Sequence, residues 1–437
     1  MANVYFSKED LFKDKEELNV NIPYSEDASI LKTPLKIKGK TIPNRLACQP
    51  MEGCDGTADG RPGELTLRRY DRFAKGGAGL VWYEATAVMK EARANPRQLW
   101  LTTDNISSFE KQVYDIKNTC MKENGYEPIV IMQATHSGRY SKPDGVPAPI
   151  IAYNNAVLEK DNPIDKSRIV TDEYLDSVKE ALINSSVLAE KAGFDGVDIK
   201  CCHRYLNSEL LSAYEREGRY GGSIENRTRL LREAVQGAIQ STGNDFIVTS
   251  RLNVYDGYVY PWGFGVDKSG SLDFDATEPI WLLNELSKLG VELIDISMGN
   301  PYFNPHTNRP FAQGPYEAPE HPLKGVERIL NGTKLLKENV PQMKFIASGV
   351  TFLGTCAPNV CAGYINDNAF DMAGFGRTIF AYPDFAKDIV NNGCMEKSKC
   401  CIACSKCTVL MRSGSTPGCV IKDKLYTDLF RQVVLNK

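Results

Sequence analysis

The chain has 437 residues, 42% hydrophobic and 24% charged, with a formal net charge of −3, an ordinary globular composition. Near-balanced charge argues against nucleic acid or an anionic membrane face as partner. No apolar run reaches transmembrane length, and the N-terminus MANVYFSKEDLFKDKEEL has no signal-peptide core, so a cytoplasmic location is expected. There, its 13 cysteines are expected to be reduced or metal-bound rather than disulfide-paired.

Residues 1–32 read as a polar lead-in, partly packed against a later surface. Beyond them strand-like and helical runs alternate. Short apolar runs predict strands over Arg45 to Pro50, Gly79 to Glu84, Pro128 to Ala134, Phe194 to Ile199, Phe246 to Arg251, Leu293 to Ser297, Lys344 to Ser348 and Phe370 to Ala373. Between them lie amphipathic stretches such as Glu64 to Lys75, Asp172 to Lys191, Arg229 to Ser241, Thr277 to Lys288 and Lys324 to Glu338. Eight such strands alternating with helices predict a (β/α)8 TIM barrel over residues 33–390, with the strand carboxyl ends forming the active face. A doubly wound open sheet is the runner-up, but no GxGxxG opens the first βα turn. Two long insertions stand out. Residues 137–171 are proline-rich and polar, while residues 253–273 hold Tyr255, Tyr258, Tyr260, Trp262 and Phe264 among glycines. Such aromatics either line a pocket for a planar substrate or pack the loop down.

The strand ends carry the chemistry. GFDGVDIKCCHRYLNSELLSAYEREGRYGGSIENR runs from a short strand into Lys200, Cys201, Cys202, His203, Arg204 and Tyr205, and Ser223 is placed to N-cap a helix beginning at Ile224. Titratable side chains crowded at the end of a buried strand are costly unless satisfied, so they suggest a working site. QPMEGC and EATAV follow the first two strands, Gln133 and His136-Ser-Gly-Arg139 the third, and Arg251 ends the fifth. Ser348-Gly349 and Gly374-Phe-Gly376-Arg377 close the last two, the usual place for a phosphate in this barrel.

A second signal is Cys401-x2-Cys404-x2-Cys407-x11-Cys419. Three thiolates so close in sequence wrap one 4Fe-4S cubane and a distant fourth closes it, whereas zinc ribbons prefer two separated pairs. Residues 391–437 are therefore expected to form a small cluster-binding segment. Cys394 and Cys400 read as bystanders, and Cys201 and Cys202 as small strand-end residues rather than nucleophiles.

Taken together, LKIKGKTIPNRLACQPM, GGAGLVWYEATAV, GFDGVDI, YGGSIENRTR and GFGR resemble the old yellow enzyme family of FMN-dependent ene-reductases, from about Thr33 to Cys419. Within it the chain looks most like the iron–sulfur branch of 2,4-dienoyl-CoA reductase, trimethylamine dehydrogenase and 2-enoate reductase. The cysteine spacing is nearer to that of trimethylamine dehydrogenase. The resemblance assigns Pro50, Met51, Glu52 and Ala85 to the cofactor site. It has Gln133 bond the pyrimidine side of the flavin, Arg251 sit near N1 and O2, and Ser348, Gly349, Gly376 and Arg377 surround the FMN phosphate. Where the family usually has a His followed three residues later by His or Asn, this chain has Lys200 and His203. Lysine suits a carboxylate or a developing enolate. Arg204 replaces a glycine, and Tyr205 matches the family's proton donor. Glu52 stands where a Thr or Cys is usual, with Lys200 as a conceivable partner.

The expected function is that of an anaerobe's cytoplasmic ene-reductase using FMN and a 4Fe-4S cluster. Electrons would enter singly at the cluster from an external redox protein, since the FAD and NAD(P)H domains of the longer relatives have no counterpart in this sequence. The expected substrate is a small unsaturated molecule, carboxylate-bearing in the reading that Lys200 favours; a homo-oligomer is compatible with this composition. The rivals are a dehydrogenase of the trimethylamine type that passes electrons outward, and a non-catalytic electron-transfer subunit.

Overall fold

Eight parallel strands close into a barrel in the computed structural model, which describes residues 3–436. In chain order they are β1 (Leu46–Cys48), β2 (Leu80–Ala87), β3 (Ile129–Thr135), β4 (Gly196–Ile199), β5 (Ile247–Tyr255), β6 (Leu293–Met298), β7 (Lys344–Ala347) and β8 (Met372–Phe375). Each pairs with its neighbours, and β8 returns to β1 with Ala373 opposite Leu46 and Phe375 opposite Cys48. That closure makes the fold a TIM barrel and rules out the open doubly wound sheet. Strands such as LVWYEATA and IVIMQAT are buried along their whole length. Helices cover one face and the barrel interior the other, so near-continuous apolar runs are required.

Several boundaries differ from the sequence-based expectation. β1 is three residues long, although Gln49 N–H still donates to the Phe375 carbonyl at 3.0 Å beyond its end. β2 and β5 instead extend past their expected ends to Ala87 and Tyr255, with register shifts at Tyr83/Ala85 and Asn253/Tyr255. Such irregularities re-aim side chains at a barrel rim. Several helices were not marked in the sequence, and two of them shape the barrel's periphery. Lys8–Glu17 turns the lead-in into a docked element, with Ser7 capping it and Leu11 fully buried. Ile106–Asn124 is a largely polar helix whose buried stripe is Phe109, Val113, Ile116 and Cys120. Ser223 does accept from Asn226 N, but the helix it caps lasts only from Ile224 to Arg227.

A hairpin, Leu35–Ile37 with Lys40–Ile42, stoppers the amino end of the barrel. Its Leu35, Ile37 and Ile42 pack with Ala47, Leu80, Ile129, Ile247, Leu293, Ile346 and Met372. At the other end of the chain, helices Lys406–Arg412 and Lys424–Phe430 carry a small core of their own, made by Leu410, Val420, Tyr426 and Phe430. Asp423, which caps the second of them, fastens it to the barrel through Arg68 at 2.9 Å and Arg72 at 2.5 Å. Thr416 adds hydrogen bonds to the Gly53 carbonyl at 2.6 Å and to Asp55 at 3.3 Å. Among the described residues, no helix is long and apolar enough to cross a membrane.

Candidate active site

The strand ends converge. Pro50, Met51, Glu52, Ala85, Gln133, Lys200, His203, Tyr205, Arg251, Ser348, Gly349, Gly376 and Arg377 all line one cavity at the carboxyl face of the barrel. They arrive there from β1, β2, β3, β4, β5, β7 and β8, because every parallel strand delivers its last residues to the same rim. Gln49, Tyr302, Arg309 and Thr351 join the lining.

Two buried aspartates inside the barrel set the geometry of the floor. Asp198 on β4 accepts from Gln133 Nε2 at 2.6 Å, Trp82 Nε1 at 2.8 Å and the Arg251 backbone N–H at 2.7 Å. Asp295 on β6 accepts from Gln49 Nε2 at 2.9 Å and lies 3.1 Å from Arg251 Nε. The sequence reading passed over both, although an acid between β-branched residues in a buried strand (VDI, IDI) is itself a signal. Burial raises both carboxyls from 3.8 to about 6. A carboxyl raised in the folded state favours folding below its unfolded pKa, and that contribution is lost as pH rises through the folded value. The stability advantage of the flavin-free wild type over Asp295→Asn should therefore shrink between pH ~4 and ~6, by at most about 1.4 kcal/mol per pH unit. Urea unfolding of both proteins across that range measures it; a constant gap would count against a shifted Asp295.

At the end of β4 the backbone turns left-handed twice, at His203 (φ 64°) and Arg204 (φ 60°). Non-glycine residues rarely adopt this conformation, at a cost of roughly 1–3 kcal/mol each. That cost explains the glycine usual at the second position. Arg204 is held there by a buried ion pair with Asp256 at 2.9 Å and by hydrogen bonds to Ser212 at 2.5 Å and Tyr153 at 2.9 Å. His203 Nε2 is buried without a partner. Burial, with Arg251, Lys200 and Arg309 nearby, holds its imidazole well below its usual pKa and so neutral.

Lys200 forms no ion pair with Glu52, the partner its charge made conceivable. Its ammonium sits 3.8 Å from the centre of the Tyr205 ring, and burial lowers its pKa. The Tyr205 hydroxyl donates to Glu52 Oε2 at 3.4 Å and lies 3.0 Å from the Tyr302 hydroxyl. Tyr302 in turn stacks on Tyr140 at 3.9 Å. Cys201 and Cys202 are buried beside this group, and desolvation pushes the Cys202 thiol up to about 12. They remain protonated thiols. Of the aromatic insertion, Tyr258 and Phe264 are buried in packing and none of its aromatics lines this cavity.

The far end of the cavity is cationic. Gly349 has φ 83°, and a Cβ there would meet Ile329 Cδ1 at 2.6 Å, so glycine is required. At Gly376 a Cβ would make only an ordinary 3.5 Å contact with Met51. Arg377 Nη1 and Arg309 Nη1 are both buried without a hydrogen-bond partner. Two such guanidinium edges side by side are costly unless an anion completes them. Burial and the neighbouring Arg377 lower Arg309 to about 10. Arg309 lies in the loop after β6, where no sequence pattern marked it.

Cys401, Cys404, Cys407 and Cys419 line a second, smaller cavity with Phe380, Ser405 and Val420. Cys400 and the exposed Cys394 do not. Left-handed turns at Ala403 (φ 52°) and Ser405 (φ 57°) bend the loop around this space. The N–H of Ala403 donates to Cys401 Sγ at 3.4 Å and that of Lys422 to Cys419 Sγ at 3.3 Å. Among the described residues, no three His, Cys, Asp or Glu side chains are drawn into a metal-holding group. The donor set, four thiols with amides directed at sulfur, fits an iron–sulfur cluster in kind.

Residues 31–394 match the model of the NADH:flavin oxidoreductase / NADH oxidase family. The chain belongs to that family. It is a family of FMN-dependent oxidoreductases, and the cavity with unpaired arginines at one end and Gln133 and Arg251 in its floor fits FMN. A relative named NADPH dehydrogenase from Halalkalibacterium halodurans is 30% identical over 268 residues, covering 60% of this chain and 71% of the relative. Among solved structures, a 2-naphthoyl-CoA reductase complex superposes with a TM-score of 0.74 at 18% identity over 92% of this chain. This chain spans only 58% of that reductase's length. An old yellow enzyme homologue from Zymomonas mobilis superposes with a TM-score of 0.60 at 20% identity, covering 82% of this chain and 92% of the homologue. At such identities the structural likeness speaks for the fold.

Proposed function

We propose that this flavin oxidoreductase is an ene-reductase, reducing an activated carbon–carbon double bond with FMN in the barrel (residues 33–390) and a 4Fe-4S cluster in the segment 391–437. The observation that supports it best is a shared wall. Cys407, Arg377 and Phe380 line both the flavin cavity and the cysteine cavity, so electrons arriving at the cysteines are one side chain from the flavin site.

Bound FMN would supply the hydride, and a cubane on Cys401, Cys404, Cys407 and Cys419 would supply it with single electrons from an external carrier. The remaining work falls to the chain's own side chains. Arg251 places a fixed cation in the floor, where it would hold negative charge in a low dielectric. Neutral His203, with Nε2 unpartnered, can hydrogen-bond an acceptor oxygen of the substrate. Tyr205 gives its hydroxyl proton to the α-carbon. Lys200, against the Tyr205 ring, favours the charge that this transfer leaves behind and suits an anionic substrate.

The name of the H. halodurans relative favours a second reading, in which a nicotinamide enters the same cavity and reduces the flavin directly. Stopped-flow reduction separates them. Reduced methyl viologen is expected to outrun NADH and NADPH by at least roughly tenfold. Rapid stoichiometric reduction by either nicotinamide would establish the direct route.

A further inference from the structure

We propose that Glu52 is the proton relay that recharges Tyr205 between turnovers, carrying protons inward from a second, outer cavity. The relay rests on the ene-reduction proposed above, in which every turnover takes the hydroxyl proton of Tyr205. Tyr205 is only 2% exposed, so bulk water cannot restore that proton directly. Two groups touch its hydroxyl, Glu52 Oε2 at 3.4 Å and the Tyr302 hydroxyl at 3.0 Å.

Glu52 stands in the wall between two spaces. It lines the flavin cavity and also an outer cavity bordered by Cys54, Asn95, Arg97, Tyr140 and Lys142. Its two oxygens divide accordingly. Oε2 meets Tyr205, while Oε1 accepts from Asn95 Nδ2 at 3.0 Å on the outer side. A carboxyl group needs this placement to take a proton on one oxygen and give one up from the other.

The steps balance without any electron moving. The Tyr205 O–H bond breaks and its proton becomes the new C–H at the α-carbon. The Glu52 carboxyl O–H then breaks to rebuild the Tyr205 hydroxyl, and hydronium or a buffer acid reaching the outer cavity from solvent returns a proton to Glu52, leaving water or the buffer base. A carboxylic acid is a far stronger acid than a phenol, so the middle step runs downhill. Glu52 is faced by Lys200 and Tyr205 from the end of β4, by Tyr302 from the loop after β6, and by Cys54, with Arg97 beyond. Desolvation raises its pKa against the opposing pull of Lys200 and of hydrogen bonds from Tyr205, Asn95 and Cys54, a direction that favours the protonated acid the relay uses. Tyr302 also borders both cavities, but one phenol has no driving force to protonate another.

The test uses the holoenzyme with cinnamate, an acceptor for which proton delivery limits the rate, and reduced methyl viologen as donor. In Glu52→Gln, later turnovers should slow roughly ten- to a hundredfold more than the first reoxidation of pre-reduced flavin, because Tyr205 starts protonated. Glu52→Asp should recover most of the later turnovers. The wild-type steady-state rate should fall as rising pH strips Glu52 of its proton, and Glu52→Gln should lack that limb. The flavin-free protein offers a readout independent of turnover: an infrared carboxyl stretch that titrates in wild type and disappears in Glu52→Gln. Equal slowing of first and later turnovers, or slowing of neither, would overturn the relay. So would a Tyr302→Phe variant that shows the split when Glu52→Gln does not. If Tyr205→Phe leaves net reduction untouched, the ene-reduction itself is wrong; if Tyr205→Phe is impaired beside a normal Glu52→Gln, only the relay is.

Discussion

Anaerobically purified Cys404→Ala protein is expected to contain no stoichiometric iron while retaining its FMN. Wild type should hold about four irons and four sulfides per chain, as a cubane requires. Cys404 is the informative position, because it lines the cysteine cavity and not the flavin cavity, whereas Cys407 lines both. Removing its thiol leaves three ligands and a vacant corner but touches nothing in the flavin floor. The segment should stay docked, since Asp423 with Arg68 and Arg72 and Thr416 with Gly53 hold it independently of any metal. Turnover driven by a one-electron carrier protein should then fall by two orders of magnitude or more on an order-of-magnitude scale. Metal analysis that found one zinc and no iron in wild type would reject the cluster outright.

The second large effect is expected at Lys200. Lys200→Met should lower kcat/KM by roughly ten- to a thousandfold with FMN content unchanged. The geometry adds a signature. An ammonium 3.8 Å from the Tyr205 ring centre contributes roughly 2 kcal/mol when desolvated, and more once the phenol has given up its proton. Lys200→Met should therefore resemble Tyr205→Phe. Both should lose most with weak acceptors such as cinnamate, where proton delivery limits the rate, and least with cyclohexenone. Single-turnover and steady-state rates for the two acceptors decide the matter. A Lys200→Met enzyme with wild-type kinetics on both would leave the lysine a purely structural residue of the barrel mouth.

The residues that were legible in the sequence share one property. Gln133 and Arg251 lie on parallel strands and Ser348 and Arg377 just beyond them, and a parallel barrel turns all of them towards one cavity. Recognising strands was therefore enough to assemble the lining. Arg309 and Tyr302 were not legible because they come from the long loop after β6, whose path is set by packing rather than by any repeat. Asp198 and Asp295 were hidden for a different reason: their role is to hold Gln133, Gln49 and Arg251, and support of that kind shows only when the neighbours are seen. Charge pointed Lys200 towards a substrate anion, with Glu52 as a conceivable partner, whereas its ammonium lies over the aromatic face of Tyr205. Helix Ile106–Asn124 escaped because five buried residues in nineteen positions, one of them Gln112, barely interrupt its polar character.

Arg204 and Asp256 bear on how such a site can change over generations. Glycine at 204 would relax the left-handed backbone but strand the carboxylate of Asp256 in the interior without its cation. An apolar residue at 256 would strand Arg204 in the same way. Each single step leaves a buried charge without its partner, while the double replacement removes both, so the two positions, 52 residues apart, are expected to change together among relatives. A lineage that carries arginine after the strand-end histidine is thereby committed to an acid at the end of β5, and drift at either position alone is closed to it.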